Sequence, residues 1–402
     1  MKNRYIMTLP IAIIGMLLLP GCATQTITES KINDGESEIN DADVIEITLN
    51  AQSISATSDD VTISGTTITI TEEGTYSFSG ELSDGNIIVD TSKDEKVHIV
   101  LNGVSINSNT FAPIYVAQAD KVSVTLKEGT TNTLTNDGSF IAIDDNNVDA
   151  VIYSKDDITF KGAGTLIITS PSGKGIVGKD DVTITDGTYE ITASESAIRA
   201  NDSVKIDDGS FTIVTDADGI HATTTLTVNG GTFKITAAEG LEATVVTING
   251  GNISIEASDD GINAANKSSA YSPKVEINGG DINIVMGVGD TDGVDANGDI
   301  VINGGTINVA GNSTFDYDGE GSINGGTVIA NGEVITTLPN QMMGGHGGMR
   351  DPNGEKMGPK DGMRDPNGEK MEPKDGLRDP NGEMREHKDR MKKQDGDMKG
   401  PK

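Results

Sequence analysis

The chain has 402 residues, with 50 Gly, no Trp and only 3% aromatic residues, a composition that excludes an ordinary compact globule built around one thick core. The formal net charge is −32, and it is concentrated in residues 22–339, which hold 14 Lys/Arg and 49 Asp/Glu. So acidic a body repels nucleic acid, which excludes that class of partner. It also repels itself, and this favours bound divalent cations.

The N-terminus predicts a lipoprotein signal peptide over residues 1–21. Lys2 and Arg4 form a positive segment, and the apolar run after them is too short to span a bilayer comfortably. The run ends in Leu-Pro-Gly-Cys at Cys22, which resembles a bacterial lipobox. We therefore expect Cys22 to be lipidated, residues 22–44 to be a flexible linker, and the protein to be anchored in a membrane at the bacterial cell surface. Because Cys22 is the only Cys, disulfides and thiolate metal sites are excluded.

The body of the chain is an internal repeat. Gly-centred turns recur at spacings of 22, 22, 20, 29, 25 and 21 residues, at Gly187, Gly209, Gly231, Gly251, Gly280, Gly305 and Gly326. Apolar residues alternate with polar ones on both sides of each turn, which is the period of β-strands and not of helices. A period in the low twenties with this pattern predicts an all-β fold, a right-handed parallel β-helix with coils of about 20–25 residues.

The repeat also predicts the domain organisation. Residues 45–338 are expected to form the β-helix, with residues 45–92 as an N-terminal cap that closes its open edge. Residues 339–402 contain a 14-residue repeat rich in Pro, Gly and balanced charge, which predicts a disordered tail. Asn residues before the Gly-Gly turns are expected to stack along the solenoid, and these are Asn229, Asn249, Asn278, Asn303 and Asn324.

A column of acidic residues is predicted along one face of the β-helix. An acidic residue precedes Gly in five successive coils, at Asp218, Glu239, Asp260, Asp292 and Asp318, and the residue three positions further on is His221, Glu242, Asn263 or Asp295 in the first four. Stacked carboxylates repel unless a cation lies between them, and oxygen ligands suit Ca²⁺. The sequence therefore predicts calcium as cofactor. The candidate ligands are Asp216, Asp218, Glu239, Glu242, Asp259, Asp260, Asp290, Asp292, Asp295, Asp316 and Asp318.

The body resembles the bacterial family of carbohydrate-binding β-helix domains. The resemblance lies in residues 73–80 (EGTYSFSG), 100–106 (VLNGVSI) and 126–132 (LKEGTTN), together with the Asp-Gly-Ile-x-Ala and Ile-Asn-Gly-Gly repeats. It implies a fold similar to pectate lyases, calcium sites, and binding to acidic sugars or cellulose-like glucans. It favours a calcium-dependent polysaccharide-binding lipoprotein, expected to be a monomer and not an enzyme.

Two alternatives stay open. One is a calcium-dependent pectate or uronate lyase, with Arg199 as the base, because Arg199 is the only Arg between residues 22 and 349 and stands at the head of the acidic column. The ordinary role for Arg199 is an ion pair with Glu195 or Asp218. The other alternative is a structural surface adhesin or stalk that calcium merely stiffens. Neutral glucans need aromatic platforms, and the candidates are few, namely Tyr115, Tyr153, Tyr271 and Tyr317.

Overall fold

The structure is a computed structural model that describes residues 44–289 and 291–340, and every regular element within them is a β-strand. None of these residues belongs to a helix that is long and apolar enough to cross a membrane. The predicted signal peptide, the lipidation site Cys22, the candidate ligand Asp290 and nearly all of the predicted linker and tail lie outside the described residues.

The strands form a parallel solenoid of about 11 turns with three faces. Face 1 is a 12-stranded sheet. Its strands are β3 (Val61–Ser64), β4 (Thr67–Ile70), β6 (Asn86–Asp90), β8 (Ile114–Gln118), β11 (Ala150–Ser154), β14 (Lys174–Gly178), β17 (Ile198–Ala200), β20 (Asp218–Ala222), β23 (Glu239–Ala243), β26 (Asp260–Ala264), β29 (Asp292–Ala296) and β32 (Ser313–Tyr317).

Faces 2 and 3 belong to one 23-stranded sheet. Face 2 consists of β9 (Lys121–Leu126), β12 (Asp157–Lys161), β15 (Val182–Ile184), β18 (Ser203–Ile206), β21 (Thr225–Val228), β24 (Val245–Ile248), β27 (Lys274–Ile277), β30 (Asp299–Ile302) and β33 (Gly321–Ile323). Face 3 consists of β10 (Thr131–Thr135), β13 (Thr165–Ser170), β16 (Thr188–Ala193), β19 (Ser210–Thr215), β22 (Thr232–Ala237), β25 (Asn252–Ala257), β28 (Asp281–Met286), β31 (Thr306–Ala310) and β34 (Thr327–Ala330).

Antiparallel hairpins close both ends of the described solenoid. The remaining strands are β1 (Val44–Ala51), β2 (Ser53–Ala56), β5 (Gly74–Leu82), β7 (Lys96–Asn107) and β35 (Glu333–Ile335). β1 pairs antiparallel with β2, β3 with β4, and β34 with β35. The long strand β7 pairs with both β9 and β10, and so joins faces 2 and 3. The hairpins leave fewer open strand edges, which are the usual aggregation hazard of a β-solenoid.

Ladders of identical or similar apolar side chains fill the interior. On face 3, Tyr189, Phe211 and Phe233 lie in register and stack with ring centroids 4.9 and 4.6 Å apart. In the following coils Ile253 and Ile282 take the same position and are fully buried. Each coil therefore buries its apolar face only against its neighbours, as expected for a solenoid.

The predicted Asn ladder is confirmed. Asn249 Nδ2 donates to Asn229 Oδ1 at 2.8 Å, and Asn278 Nδ2 donates to Asn249 Oδ1 at 2.9 Å. The Gly-Gly turns make this stacking possible. Gly231 has a φ of 99°, which favours Gly, and a Cβ on Gly230 would lie 2.9 Å from the carbonyl oxygen of Asp207 in the preceding coil.

The all-β parallel solenoid predicted from the repeat is thus confirmed, but one detail of the coil alignment was wrong. Asp318 was aligned with Asp292 as the acidic residue before Gly. The structure instead pairs Ser313 with Asp292, Phe315 with Val294 and Asp316 with Asp295. The reason is burial, because Phe315 is fully buried and takes the inward position that Val294 holds in the coil before.

Candidate functional site

Face 1 carries a column of side chains at one register position, which we call the central column. It consists of Ile88, Tyr115, Tyr153, Val177, Arg199, His221, Glu242, Asn263, Asp295 and Asp316. Its chemistry changes along the solenoid from apolar and aromatic, through Arg and His, to acidic. Parallel pairing in register is what brings residues 21 to 38 positions apart in the chain next to one another.

A second set of acids flanks the central column, and it includes four of the predicted ligands. Asp218 pairs with Glu239, and Asp260 pairs with Asp292. Asp316 belongs to the central column instead, while Asp216, Asp259 and Asp318 are exposed. Asp216 lines a different groove, which contains residues of face 3. The sequence alignment of Asp218 with Glu239 and of Asp260 with Asp292 is therefore confirmed, and that of Asp318 was wrong.

Asp218, His221 and Glu242 form a buried, charge-balanced cluster. His221 Nδ1 lies 2.5 Å from Glu242 Oε2 and 3.2 Å from Asp218 Oδ2. Lys267 Nζ lies 2.5 Å from Glu242 Oε1, and Ser196 Oγ donates to Asp218 Oδ2 at 2.9 Å. His221 and Glu242 are only 3% and 2% exposed. Two carboxylates are thus met by one ammonium group and one imidazole.

The pKa shifts in this cluster follow from its contacts. Burial disfavours the charged carboxylates, but hydrogen bonds from His221 and Ser196 hold the pKa of Asp218 below its ordinary value. Burial likewise acts against Glu242, yet its bonds with His221 and Lys267 lower its pKa. Burial lowers the pKa of His221, but the bonds to Asp218 and Glu242 outweigh it and the pKa is raised. The carboxylates of Asp218 and Glu242 therefore stay charged at neutral pH.

Glu239, on the same strand as Glu242, and the acids in the next coils have the opposite electrostatics. Burial and the charges of Glu242 and Asp218 raise the pKa of Glu239 to about 8. Burial and the charges of Asp295 and Asp259 raise the pKa of Asp260 to about 7. Burial and neighbouring acids, led by Asp292, raise the pKa of Asp295 to about 6. Among the described residues, no Lys, Arg or His lies within 4 Å of the carboxylates of Glu239, Asp260 or Asp295.

Asn263 lies in the middle of these uncompensated acids. Its Nδ2 donates to Glu239 Oε2 at 3.1 Å and to Asp260 Oδ2 at 3.0 Å. The residue is 8% exposed, and its buried Oδ1 has no hydrogen-bond partner. The amide nitrogen faces the two carboxylates here, and a half-turn of the amide group would put Oδ1 beside them, which gives an oxygen donor set of the kind that calcium takes. The residues present therefore fit a calcium ion at Glu239, Asp260 and Asn263.

A groove of about 460 Å³ runs across β14, β17 and β20 at the cationic part of the central column. The residues that line it are Asp149, Lys174, Val177, Lys179, Glu195, Ser196, Arg199, Asn201, Ala217 and Asp218. Three cationic side chains in one groove are notable in a body that contains 14 basic and 49 acidic residues. Asp218 links this groove to the acids of face 1.

The guanidinium of Arg199 is available to a ligand. Glu195 binds Lys174 at 2.5 Å, and Asp218 binds His221 and Ser196, so the ion pair expected for Arg199 with either acid is not formed. Within the part of the chain that the structure describes, no carboxylate oxygen lies within 4 Å of Arg199. Arg199 still acts at longer range, since its charge helps to lower the pKa of Asp218.

The aromatic side chains of the central column do not form an open platform. Tyr115 and Tyr153 are each 1% exposed and pack with Phe111 and Val148 in a separate apolar cluster. The Tyr115 hydroxyl is bonded to the carboxylate of Asp144. Of the four tyrosines considered as sugar platforms, only Tyr271 is strongly exposed, at 51%.

Sequence reasoning missed several residues of the site. Lys267 lies between β26 and β27, in an insertion that the sequence signals only by the 29-residue spacing from Gly251 to Gly280. Lys174 and Lys179 lie in coils whose turns depart from the Gly-Gly pattern, and no motif marked them. Asn263 was recognised as a column member but not as a ligand, because its amide matters only once its two carboxylate neighbours are known.

The chain is similar to known carbohydrate-binding domain-containing proteins. A family model described as "Carbohydrate-binding domain-containing protein" matches residues 64–245 and 217–337. A protein of the same description from Acetivibrio thermocellus is 40% identical over 138 residues, which cover 34% of this chain and 48% of the relative, so the match spans about half of the relative's length. A solved structure of a polysaccharide lyase-like protein from C. thermocellum, in a gadolinium derivative, is 29% identical and covers 74% of this chain and 97% of its own, with a TM-score of 0.44.

Proposed function

The chain belongs to the family of carbohydrate-binding domain-containing proteins, and from that premise we propose that it is a calcium-dependent polysaccharide-binding protein with a preference for acidic sugars. Family membership supports a polysaccharide as the ligand. Calcium and the acidic class of sugar are supported by face 1, where uncompensated carboxylates lie next to a groove that contains Arg199.

The main support for an acidic sugar as the ligand is that the guanidinium of Arg199 is available to bind a carboxylate. A body with this negative charge repels a polyanion unless local cations offset the repulsion. Arg199 has a planar donor fork that suits a sugar carboxylate, and the exposed Lys179 lies in the same groove. A neutral glucan is less well supported, because Tyr115 and Tyr153 are buried and cannot stack on sugar rings.

Calcium would be held by Glu239, Asp260 and Asn263, with Asp292 and Asp295 in the following coil. Bound there, the ion supplies the positive charge that Glu239, Asp260 and Asp295 lack. The protein's own contribution is to hold the donors in register, with Asn263 buried and the acids half-buried. With the acids neutralised, the field along face 1 no longer repels a uronate chain that lies across Arg199.

Affinity electrophoresis tests this proposal. Polygalacturonate cast in a native gel is expected to retard the protein in calcium, and Arg199→Gln is expected to lose at least about tenfold in affinity, since a charged hydrogen bond contributes roughly 1.5–3 kcal/mol. Lys234→Gln, an exposed lysine on face 3, is the matched control and keeps the retardation of the parent. Equal retardation of the Arg199 and Lys234 variants would contradict the role of the groove.

A lyase activity is the second candidate, and the position of Arg199 beside the acidic column favours it. A uronate lyase removes the proton next to the sugar carboxylate and breaks the glycosidic C–O bond, and Arg199, as the neutral guanidine, would be the base that takes that proton. Ultraviolet absorbance from unsaturated products on polygalacturonate, lost in Arg199→Gln, would establish it. An absence of product with retained binding supports the binder. The surface-stalk alternative predicts calcium stabilisation without any retardation.

The cellular setting stays a prediction from the sequence. Lipidation of Cys22 would anchor the solenoid at the membrane on the outer side of the cell, where polysaccharides are encountered. Mass spectrometry of the protein purified from the membrane fraction tests for the lipid on Cys22. As a second test, Cys22→Ser is expected to release the protein into the medium.

A further inference from the structure

We propose that Asp218, His221 and Glu242 form a second kind of metal site, one for a first-row divalent transition ion such as Zn²⁺, separate from the calcium position at Glu239, Asp260 and Asn263. The distinction rests on one residue of the central column. At that position the coil before offers Arg199 and the three coils after offer Glu242, Asn263 and Asp295, whereas His221 offers an imidazole nitrogen. Imidazole nitrogen suits zinc and related ions, and oxygen-only sets suit calcium.

The three donor atoms already converge. One ligand atom each from Asp218, His221 and Glu242 lies within 4.8 Å of the others, and among residues 44–289 and 291–340 no other group of three or more His, Cys, Asp and Glu does so. His221 Nδ1 is 2.5 Å from Glu242 Oε2 and 3.2 Å from Asp218 Oδ2. Two ligands of one zinc ion, each about 2.0 Å from it, stand roughly 3.3 Å apart in tetrahedral geometry. A small widening of the first contact would therefore admit the ion.

Each carboxylate ligand also has a further partner that fixes its orientation. Lys267 binds Glu242 Oε1, the oxygen that faces away from His221, and Ser196 donates to Asp218. Such outer partners fix the orientation of ligands in metal sites and raise affinity. Burial adds to this, since His221 and Glu242 are 97% and 98% buried and have little freedom to turn away.

The geometry around Nδ1 favours an ion over a proton. Nδ1 faces two carboxylates but can carry a single hydrogen, so a proton serves one acceptor well and the other poorly. A divalent ion serves both. Asp218 also lines the groove and its side chain is 18% exposed, whereas the side chains of His221 and Glu242 are closed off. The ion would therefore enter from the groove, past Asp218.

Zinc titration in the presence of saturating calcium tests the proposal. The full chain, with millimolar calcium holding the oxygen sites, is titrated with Zn²⁺ against a chromophoric chelator. We expect one zinc equivalent that calcium does not displace and that His221→Gln removes. Glu242→Gln is a second variant, and it is expected to weaken this equivalent at least about tenfold. Circular dichroism checks that each variant retains its β-structure.

His98→Gln is the matched control, because His98 lies on β7, away from face 1, and is expected to keep the zinc equivalent. His346 and His387 are present in the parent and in every variant, so any zinc that they hold is the same in all of them. The difference in bound zinc between the parent and His221→Gln therefore measures the proposed site alone. Co²⁺ in place of Zn²⁺ is expected to give absorption bands that His221→Gln loses. Equal zinc binding by the parent and His221→Gln, or displacement of zinc by calcium, would overturn the proposal. The test uses no polysaccharide, so its failure leaves the proposed function standing.

Discussion

Single residues on face 1 decide whether a carboxylate is compensated by the chain or needs an added ion. Glu242 meets His221 and Lys267, and its pKa is lowered. Asp260, in register with Asp292, accepts hydrogen bonds from the Asn263 amide and the Asp292 backbone N–H but faces like charges, and burial with these charges raises its pKa to about 7. The boundary between compensated and uncompensated acids therefore lies within β23, which carries both Glu242 and Glu239.

Asp260→Asn should change stability in opposite directions with and without calcium. In EDTA the substitution removes a buried, repelled charge, so we expect a higher melting temperature than in the parent. In calcium it removes a ligand, so the calcium-induced rise should shrink; one ion at about 100 times its dissociation constant adds roughly 2.7 kcal/mol. Scanning fluorimetry measures both.

Glu256→Gln is the control for Asp260→Asn, since Glu256 is an exposed acid on face 3. It removes the same charge from the molecule but should leave the calcium-induced rise intact. A loss of stability in Asp260→Asn in EDTA, or an undiminished calcium effect, would show that Asp260 is not a ligand.

At this scale the sequence predicted the residue types but not their partners. Acids before Gly were visible because they recur with the coil. Lys267 was not, because it comes from an irregular insertion whose path depends on tertiary packing. The ion pair expected between Arg199 and Glu195 was wrong, because Glu195 binds Lys174 instead, and the sequence does not show that Lys174 lies beside it.

Whole coils are held by ladders that run from one strand to the next. The Asn ladder joins the turns before face 3 through single side-chain hydrogen bonds of 2.7 to 2.9 Å. The repeat predicted this ladder because each of its members recurs at the same place in its coil. It could not predict the coil of β32, where Phe315 rather than a Gly motif sets the register.

Asn249→Ala should destabilise the solenoid about twice as much as Asn324→Ala. Asn249 donates to Asn229 and accepts from Asn278, whereas Asn324 only donates to Asn303. Each lost bond costs about 0.5–1.5 kcal/mol, and these exposed bonds belong at the low end of that range. Urea denaturation of the two variants gives the comparison. Equal shifts in the midpoint would mean that the ladder adds nothing beyond the backbone pairing.

At the scale of the whole molecule, the negative charge makes stability depend on both pH and calcium. Glu239, Asp260 and Asp295 have pKa values of about 8, 7 and 6 in the fold, above the value of about 4 in an unfolded chain. Between these values the folded state binds more protons than the unfolded state, so stability falls as pH rises.

In EDTA the contribution of these three groups to stability is therefore greatest below about pH 4 to 5. We expect the melting temperature to fall as pH rises from there to about 8. Calcium binds the deprotonated carboxylates, so its stabilising effect should grow over the same range and flatten the profile. Melting curves from pH 5 to pH 8.5 with EDTA or calcium test this. A melting temperature that rises with pH in EDTA would contradict the placement of these acids.

The most direct test of calcium-dependent polysaccharide binding on face 1 is the retardation of the protein by polygalacturonate in native gels containing either calcium or EDTA, for the parent and Asp260→Asn. We expect retardation of the parent in calcium, its loss in EDTA, and weak retardation of Asp260→Asn in both. Retardation of the parent that is the same in calcium and in EDTA, or none in either, would contradict the claim.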